Sequence, residues 1–166
     1  MLNKPYWHTS SDDNRRRDKN GKTLSNQLMR LLGWNIVSTQ EVFGKGDNLY
    51  AKNGKQLRVE SEDRNLRDWC RILDGHYDTI KIYERKLKTE SEWSLCIATC
   101  YAKQNYAFVT DLKTIMNSRI GYQRCVNYGE LEPSYFVDVS GWNKYDLSTG
   151  KRIDGNNVVV HDLLEG

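Results

Sequence analysis

An Asn-Gly pair at residues 53 and 54 stands between two segments in which apolar and polar residues alternate. This pair favours a two-residue turn, because its residues tolerate positive φ and the turn matches the twist of the adjoining strands. The sequence therefore predicts an antiparallel hairpin over residues 47–62, and the turn fixes its register. The predicted pairs are Lys52 with Lys55, Tyr50 with Leu57, Asn48 with Val59, and Asp47 with Glu60.

The two faces of this hairpin differ in character, since side chains alternate along a strand. One face carries Tyr50, Leu57 and Val59, and the other carries Asp47, Arg58, Glu60 and Glu62. The first face is therefore predicted to lie on the core, and the second is the candidate for chemistry.

Asp47 and Glu60 oppose each other across the predicted hairpin, with their Cβ atoms about 5 Å apart. Two carboxylates at that distance repel each other unless a cation lies between them. Carboxylate oxygens are ligands that Mg²⁺ and Mn²⁺ prefer, and Glu62 adds a third such group on the same face. The alternative is ordinary ion pairing of these acids with Arg58 and Lys45 on an exposed sheet.

Helical and strand patterns alternate along the rest of the chain. Leucines at helical spacing predict an amphipathic helix from Thr23 to a stop at Gly33. Further helices are predicted over residues 65–73 and 111–120, strands over 35–43, 78–88, 93–101, 105–110, 125–128 and 134–139, and a loop over 141–157. A chain of 166 residues can bury one complete core. We therefore expect a single α/β (α+β) domain with a central mixed sheet flanked by helices.

Residues 1–22 are predicted to form a polar, basic N-terminal arm ahead of a domain spanning 23–166. Residues 14–22 carry three Arg and two Lys against one Asp. A run of this kind can contact phosphate, which makes Arg15, Arg16 and Arg17 candidate nucleic-acid contacts. The alternative is a solvated tail, and the formal net charge of +3 does not identify a partner by itself.

The cysteines and the apolar segments bear on the cellular compartment. The four cysteines are spread out without a C-x-x-C pair, so they are predicted to be reduced core thiols and not zinc ligands. No segment has the length and apolar character of a membrane span, and residues 1–10 lack the apolar stretch of a signal peptide. We expect a cytoplasmic protein with no membrane partner.

Aromatic residues keep a binding role open, because 10 Tyr and 5 Trp offer surfaces on which single-stranded bases can stack. Trp34, Trp69 and Trp93 lie within periodic elements and are predicted to pack in the core. The candidates for exposure are Tyr6, Trp7, Tyr122, Tyr128, Trp142 and Tyr145.

The order of these elements resembles the core of the PD-(D/E)XK nuclease superfamily. A leucine-rich helix, a strand, a hairpin that begins at Asp47 and ends in Val59-Glu60-Ser61-Glu62, a helix and a further strand cover roughly residues 23–110. The resemblance implies a restriction-endonuclease-like core in which Asp47 and Glu60 bind Mg²⁺ or Mn²⁺. The segment DTIKIYERK, residues 78–86, is also similar to small phage and bacterial nuclease-like proteins.

The family pattern places a lysine where this chain has Glu62. Glu62 would then act as an additional metal ligand or as a base that positions water, and a cation would come from elsewhere. Lys86 is the first candidate, because it lies two positions beyond Glu84 and forms a displaced E-x-K pattern. Arg85 and Lys88 are candidate nucleic-acid contacts. The alternative is a surface strand that carries solvated lysines.

The resemblance implies a Mg²⁺-dependent nuclease that hydrolyses phosphodiester bonds of DNA. Two other hypotheses stay open. One is a catalytically inactive nuclease-like module that binds nucleic acid or serves as a phage accessory protein, and the other is a structural protein whose sheet face is ion-paired. A homodimer that cuts two strands is also compatible with the sequence.

Overall fold

The computed structural model describes residues 12–38, 48–88, 94–124 and 131–166. The helices in these ranges are α1 (Asp12–Leu31), α2 (Leu66–Leu73), α3 (Arg85–Lys88), α4 (Leu112–Met116) and α5 (Val158–Glu165). The strands are β1 (Asn35–Ser38), β2 (Asn48–Lys52), β3 (Lys55–Asp63), β4 (Thr79–Tyr83), β5 (Leu95–Thr99), β6 (Tyr106–Asp111), β7 (Arg119–Arg124), β8 (Leu131–Asp138), β9 (Asn143–Asp146) and β10 (Arg152–Asp154). No helix among these residues is long and apolar enough to cross a membrane.

The strands form two sheets. The larger one has seven strands in the order β1-β2-β3-β5-β6-β9-β10, and β4-β8-β7 form a second sheet of three. Within the larger sheet β3 and β5 run parallel, whereas the other neighbours are antiparallel. The prediction of a domain that combines helices with a mixed sheet is therefore confirmed.

The hairpin of β2 and β3 has the predicted turn and register. Asn53 and Gly54 both adopt positive φ, at 51° and 78°, as a two-residue turn of this type requires. Lys52 pairs with Lys55, Tyr50 with Leu57, and Asn48 with Val59. The predicted pair of Asp47 and Glu60 lies outside the described residues, because the description begins at Asn48.

Each face of the larger sheet carries its own apolar cluster. Helices α1 and α5 cover one face, where Leu28 and Leu164 join Val59 and Ile97 of the sheet. Helix α2 and the three-stranded sheet cover the other face. The members of that second cluster include Trp69, Ile80, Ile82, Cys96, Ala98 and Phe108. Successive residues of β5 alternate between the two clusters, since Leu95 and Ile97 belong to the first and Cys96 and Ala98 to the second.

Two predicted helix boundaries are wrong. Helix α1 begins at Asp12 and not at Thr23, so residues 12–22 of the predicted arm are helical. Its Gly21 is buried, and an added Cβ would lie 3.5 Å from that of Ser61, so this part of the helix packs on β3. The helix predicted over 111–120 ends at Met116 because the chain turns at Asn117, and Arg119–Arg124 form β7.

Strand predictions fail where pairing depends on distant segments. The strand predicted over 78–88 ends at Tyr83, and residues 85–88 turn into α3. The loop predicted over 141–157 contains β9 and β10, and β9 extends the sheet beside β6. Because β9 belongs to the sheet, Trp142 and Tyr145 are buried, whereas Tyr122 on β7 is exposed as proposed. The strand predicted over 125–128 lies outside the described residues.

Candidate functional site

The carboxylates of Glu60 and Glu62 lie on the same face of β3, as the alternation of the strand predicts. They point to the side of the sheet that α2 and the three-stranded sheet cover. The side chains of Glu60 and Glu62 are only 15% and 11% exposed. Two carboxylates shielded from water in this way require a compensating cation.

Lys86 supplies that cation from α3. Its Nζ lies 2.5 Å from Oε2 of Glu62 and 3.4 Å from Oε1 of Glu60, and its side chain is 13% exposed. The next residue, Leu87, packs against the apolar cluster beneath this face, which anchors the short helix. The structure thus joins three of the sequence-predicted site residues, although Lys86 comes from a helical turn and not from a strand.

Cys96 reports the electrostatic environment of this site. It is paired with Glu60 in the parallel register of β3 and β5 and is fully buried. Burial raises the pKa of the Cys96 thiol well above its ordinary value, and Glu62 and Glu60 raise it further, while Lys86 partly opposes them. Arg64 also opposes the two carboxylates, so Cys96 lies between two acids and two cations as well as being buried.

Arg64 continues the same face of the chain, two residues after Glu62. Its Nη1 donates to the backbone carbonyl of Lys81 at 3.1 Å, which ties the end of β3 to β4. Its buried Nε has no hydrogen-bond partner among the described residues. Arg64 and Cys96 are not among the site residues that the sequence predicts. The spacing from Glu62 could have indicated Arg64, but the parallel pairing that places Cys96 beside Glu60 has no local signal.

Among the other predicted site residues, Arg85 has a different ion-pair partner and Asp47 lies outside the described residues. Arg85 is ion-paired with Glu132, and its guanidinium lies 4.2 Å from the ring centroid of Tyr83. Arg58, which the alternative hypothesis paired with the acids, forms no ion pair with a described residue. Asp47 and Lys45 are outside the described residues. Arg15, Arg16 and Arg17 lie in α1, and Lys88 ends α3.

The donor set of this site suits a hard divalent cation. Carboxylate oxygens are the ligands that Mg²⁺ and Mn²⁺ prefer, and Glu60 and Glu62 bring two such groups to one point. Within the described ranges no group of three His, Cys, Asp or Glu side chains is arranged to hold a metal, and Asp47, the other predicted ligand, lies outside those ranges. The chain matches no protein-family model, no curated protein and no solved structure.

Proposed function

We propose that the protein is a Mg²⁺-dependent nuclease that hydrolyses phosphodiester bonds of DNA. The observation that carries this proposal is the convergence of one ammonium, that of Lys86, on the two carboxylates of Glu60 and Glu62. Acids that hold a metal together with a cation that stabilises phosphate charge are what metal-assisted phosphodiester hydrolysis requires.

The order of the elements supports the same proposal. Helix α1, strands β1 to β3, helix α2 and strand β5 follow one another, and β5 lies beside β3 and parallel to it. This agrees with the resemblance to the PD-(D/E)XK core, with β4 diverted into the second sheet. The acidic motif stands on β3, the strand from which this hypothesis expects it.

Each residue of the site has a distinct proposed role. Glu60, together with Asp47, would hold Mg²⁺ or Mn²⁺ through carboxylate oxygens. The bound metal would lower the pKa of a water molecule and stabilise charge on the phosphate. Glu62 would position that water or add an oxygen ligand. Lys86 keeps both carboxylates close together and would neutralise negative charge that develops on the phosphate.

Thermal melting tests the metal site, because a ligand that binds only the folded protein stabilises it. A metal at 100 times its Kd adds about 2.7 kcal/mol. We expect Mg²⁺ or Mn²⁺ to raise the Tm of the wild type relative to EDTA. Asp47→Asn and Glu60→Gln, which change the two proposed metal ligands, should remove this shift. Asp162→Asn, which changes an exposed acid on α5, should retain it.

Cleavage assays on single-stranded, duplex and branched DNA belong with the melting experiment. The proposal expects cleavage in Mg²⁺ or Mn²⁺ that is lost in EDTA and in both site variants but retained in Asp162→Asn. A wild-type Tm that stays unchanged up to millimolar Mn²⁺, together with no cleavage of any DNA, would contradict the proposal.

A second candidate is a catalytically inactive nuclease-like module that binds nucleic acid, such as a phage accessory protein. The occupation of both carboxylates by Lys86 favours it, since an ion pair can satisfy these acids without a metal. This candidate expects DNA affinity that falls with salt and persists in Asp47→Asn. It also expects no shift of Tm with metal, so the same experiments separate the two.

A further inference from the structure

Two cations flank an aromatic ring across the three-stranded sheet. Lys81 of β4 and Arg119 of β7 each pair in register with Phe136 of β8, so the three side chains stand side by side on one face. The Nζ of Lys81 lies 4.9 Å from the centroid of the Phe136 ring, and the guanidinium carbon of Arg119 lies 4.5 Å from it. Both distances are within the range of a cation–π contact.

The row continues onto α2. The Nζ of Lys81 also lies 6.0 Å from the ring centroid of Tyr77, and the guanidinium of Arg71 lies 5.7 Å from the same ring. Cations and rings therefore alternate along one surface, here named the cation–aromatic strip. Its members are Arg71, Tyr77, Lys81, Phe136 and Arg119.

Phe136 has a specific place in this strip. Its ring lies over Gly121 of β7, where an added Cβ would come within 2.9 Å of the ring Cζ. The glycine leaves room for the ring, and the ring in turn holds the two cations that flank it. The spacing of the charges is thus set by the pairing of three strands and not by flexible side chains alone.

Among the described residues, the positive charges of the strip are not neutralised by direct ion pairs. Within the described residues Arg71, Lys81 and Arg119 form no ion pair with a carboxylate, in contrast to the nearby Arg85, which pairs with Glu132. The acids at its margins are Asp74, whose carboxylate pairs with His76, Asp78 before β4, and Asp138 at the end of β8. An aromatic ring orders a cation but leaves its charge available to a ligand.

We propose that the cation–aromatic strip binds single-stranded nucleic acid. Phosphates would contact Arg71, Lys81 and Arg119, and bases would lie against the half-buried rings and guanidinium planes. Proteins bind single strands by combining positive charge, which contacts phosphates, with aromatic rings, on which bases stack. An acidic peptide has carboxylates to pair with the cations but no bases to stack on the rings. This inference rests on the proposed function, from which it takes nucleic acid as the class of the partner.

The path of the chain connects the strip with the candidate site. Beyond Lys81, strand β4 continues through Tyr83, against which Arg85 lies, and the next residue is Lys86 at the two carboxylates. The strip and the carboxylates lie on opposite faces of the three-stranded sheet, because Ile80 and Ile82 of β4 face the cluster beside Glu60 and Glu62. A strand of nucleic acid bound to both would therefore pass the end of β4 at Tyr83 and Arg85.

Fluorescence anisotropy with a labelled single-stranded DNA oligonucleotide tests the strip. The titrations are done in EDTA, so that metal-dependent cleavage does not consume the probe, over a series of salt concentrations. Each phosphate contact in a single strand contributes about 0.7 to the slope of log affinity against log salt. We expect the double variant Lys81→Gln/Arg119→Gln to lose about 1.4 of this slope, and Phe136→Leu to weaken binding by roughly five- to 150-fold.

The matched control is Lys103→Gln/Arg30→Gln, which removes one exposed Lys and one exposed Arg outside the strip. It should bind like the wild type at moderate salt, and unchanged Tm values should show that all variants fold. The inference is overturned if the wild type does not bind the oligonucleotide, if strip and control variants lose affinity equally, or if the strip variants affect only duplex DNA. Tighter binding of a poly-glutamate peptide at the strip would also overturn it.

The outcomes separate this inference from the proposed nuclease activity. Binding that depends on the strip without cleavage in any metal would reject the nuclease and support the strip. Metal-dependent cleavage, together with an oligonucleotide affinity that is the same in the strip variants as in the wild type, would support the nuclease and reject the strip.

Discussion

The two faces of the seven-stranded sheet are built from the same strands but differ in their polar groups. On the face covered by α1 and α5, the buried polar groups are neutral and most are paired, although Oδ1 of Asn48 has no hydrogen-bond partner among the described residues. Ser25 and Ser61 share a hydrogen bond of 2.7 Å, and the indole of Trp34 donates to the carbonyl of Leu164 at 2.9 Å. On the opposite face Glu60 and Glu62 are charged groups beside an apolar cluster.

Under the proposed function, one face of strand β3 contributes to stability and the opposite face of the same strand carries the site. Neutral, paired groups cost little to bury, whereas shielded charges are expensive even when they are paired. A fold gains little stability from such charges, which is why we propose a functional site on this face. We therefore expect substitutions on the α1 face to reduce stability alone, and substitutions on the opposite face to change metal response or activity as well.

The largest effect on stability is expected from Ile97→Ala. Ile97 is fully buried on β5 and faces α1, so the change leaves a cavity in that core. We expect the free energy of unfolding in urea to fall by roughly 2–5 kcal/mol. The neighbouring Cys96→Ala, on the opposite face of the same strand, removes one atom and should cost roughly 1 kcal/mol. Loss of the metal-dependent rise in Tm from a folded Ile97→Ala protein would contradict the separation of the faces.

Lys86→Gln should have the next largest effect, because it leaves two shielded carboxylates without their shared cation. We expect a loss of about 3 kcal/mol in urea denaturation without metal. Adding Glu62→Gln to this variant should recover much of the loss, since one of the repelling charges is then removed. Lys103→Gln, an exposed lysine in the turn after β5, is the control and should cost almost nothing.

Metal makes the Lys86→Gln experiment more specific. A divalent cation that replaces the ammonium should raise the Tm of Lys86→Gln more than that of the wild type, because it also relieves the repulsion. If Lys86→Gln is as stable as the wild type and Mn²⁺ does not change its Tm, the two carboxylates do not interact strongly enough to form a metal site.

The parts of the fold that the sequence predicts well have strong local signals. The Asn-Gly turn sets both the hairpin and its register, and helical spacing gives α2 almost to the residue. The apolar run that became β5 is buried along its whole length. Alternation along β3 also places Glu60 and Glu62 together, so this half of the site follows from the sequence.

Features that depend on distant pairing were predicted poorly. Strands β9 and β10 are short and polar, and β9 is fixed by pairing with β6, which no local pattern of residues 141–157 indicates. The sequence points to Lys86 because it follows Glu84 by two positions in the strand predicted over 78–88. Lys86 does contact the acids, but it does so because the chain turns into α3 and not because it lies on a strand.

The smallest expected effect concerns Cys96 and separates the two faces by their response to alkali. Its pKa lies well above the ordinary value of 9.0, because of burial and then of Glu62 and Glu60. Above pH 9.0 the unfolded thiol loses a proton that the folded protein retains, so the free energy of unfolding falls as pH rises. Cys96→Ala should reduce this slope by at most about 1.4 kcal/mol per pH unit. The measurement is urea denaturation from about pH 8 to about pH 10.5, where the unfolded thiol ionises. Cys70→Ala in α2 is the control, and equal slopes for the wild type and Cys96→Ala would show that the folded protein does not keep the Cys96 thiol protonated above its ordinary pKa.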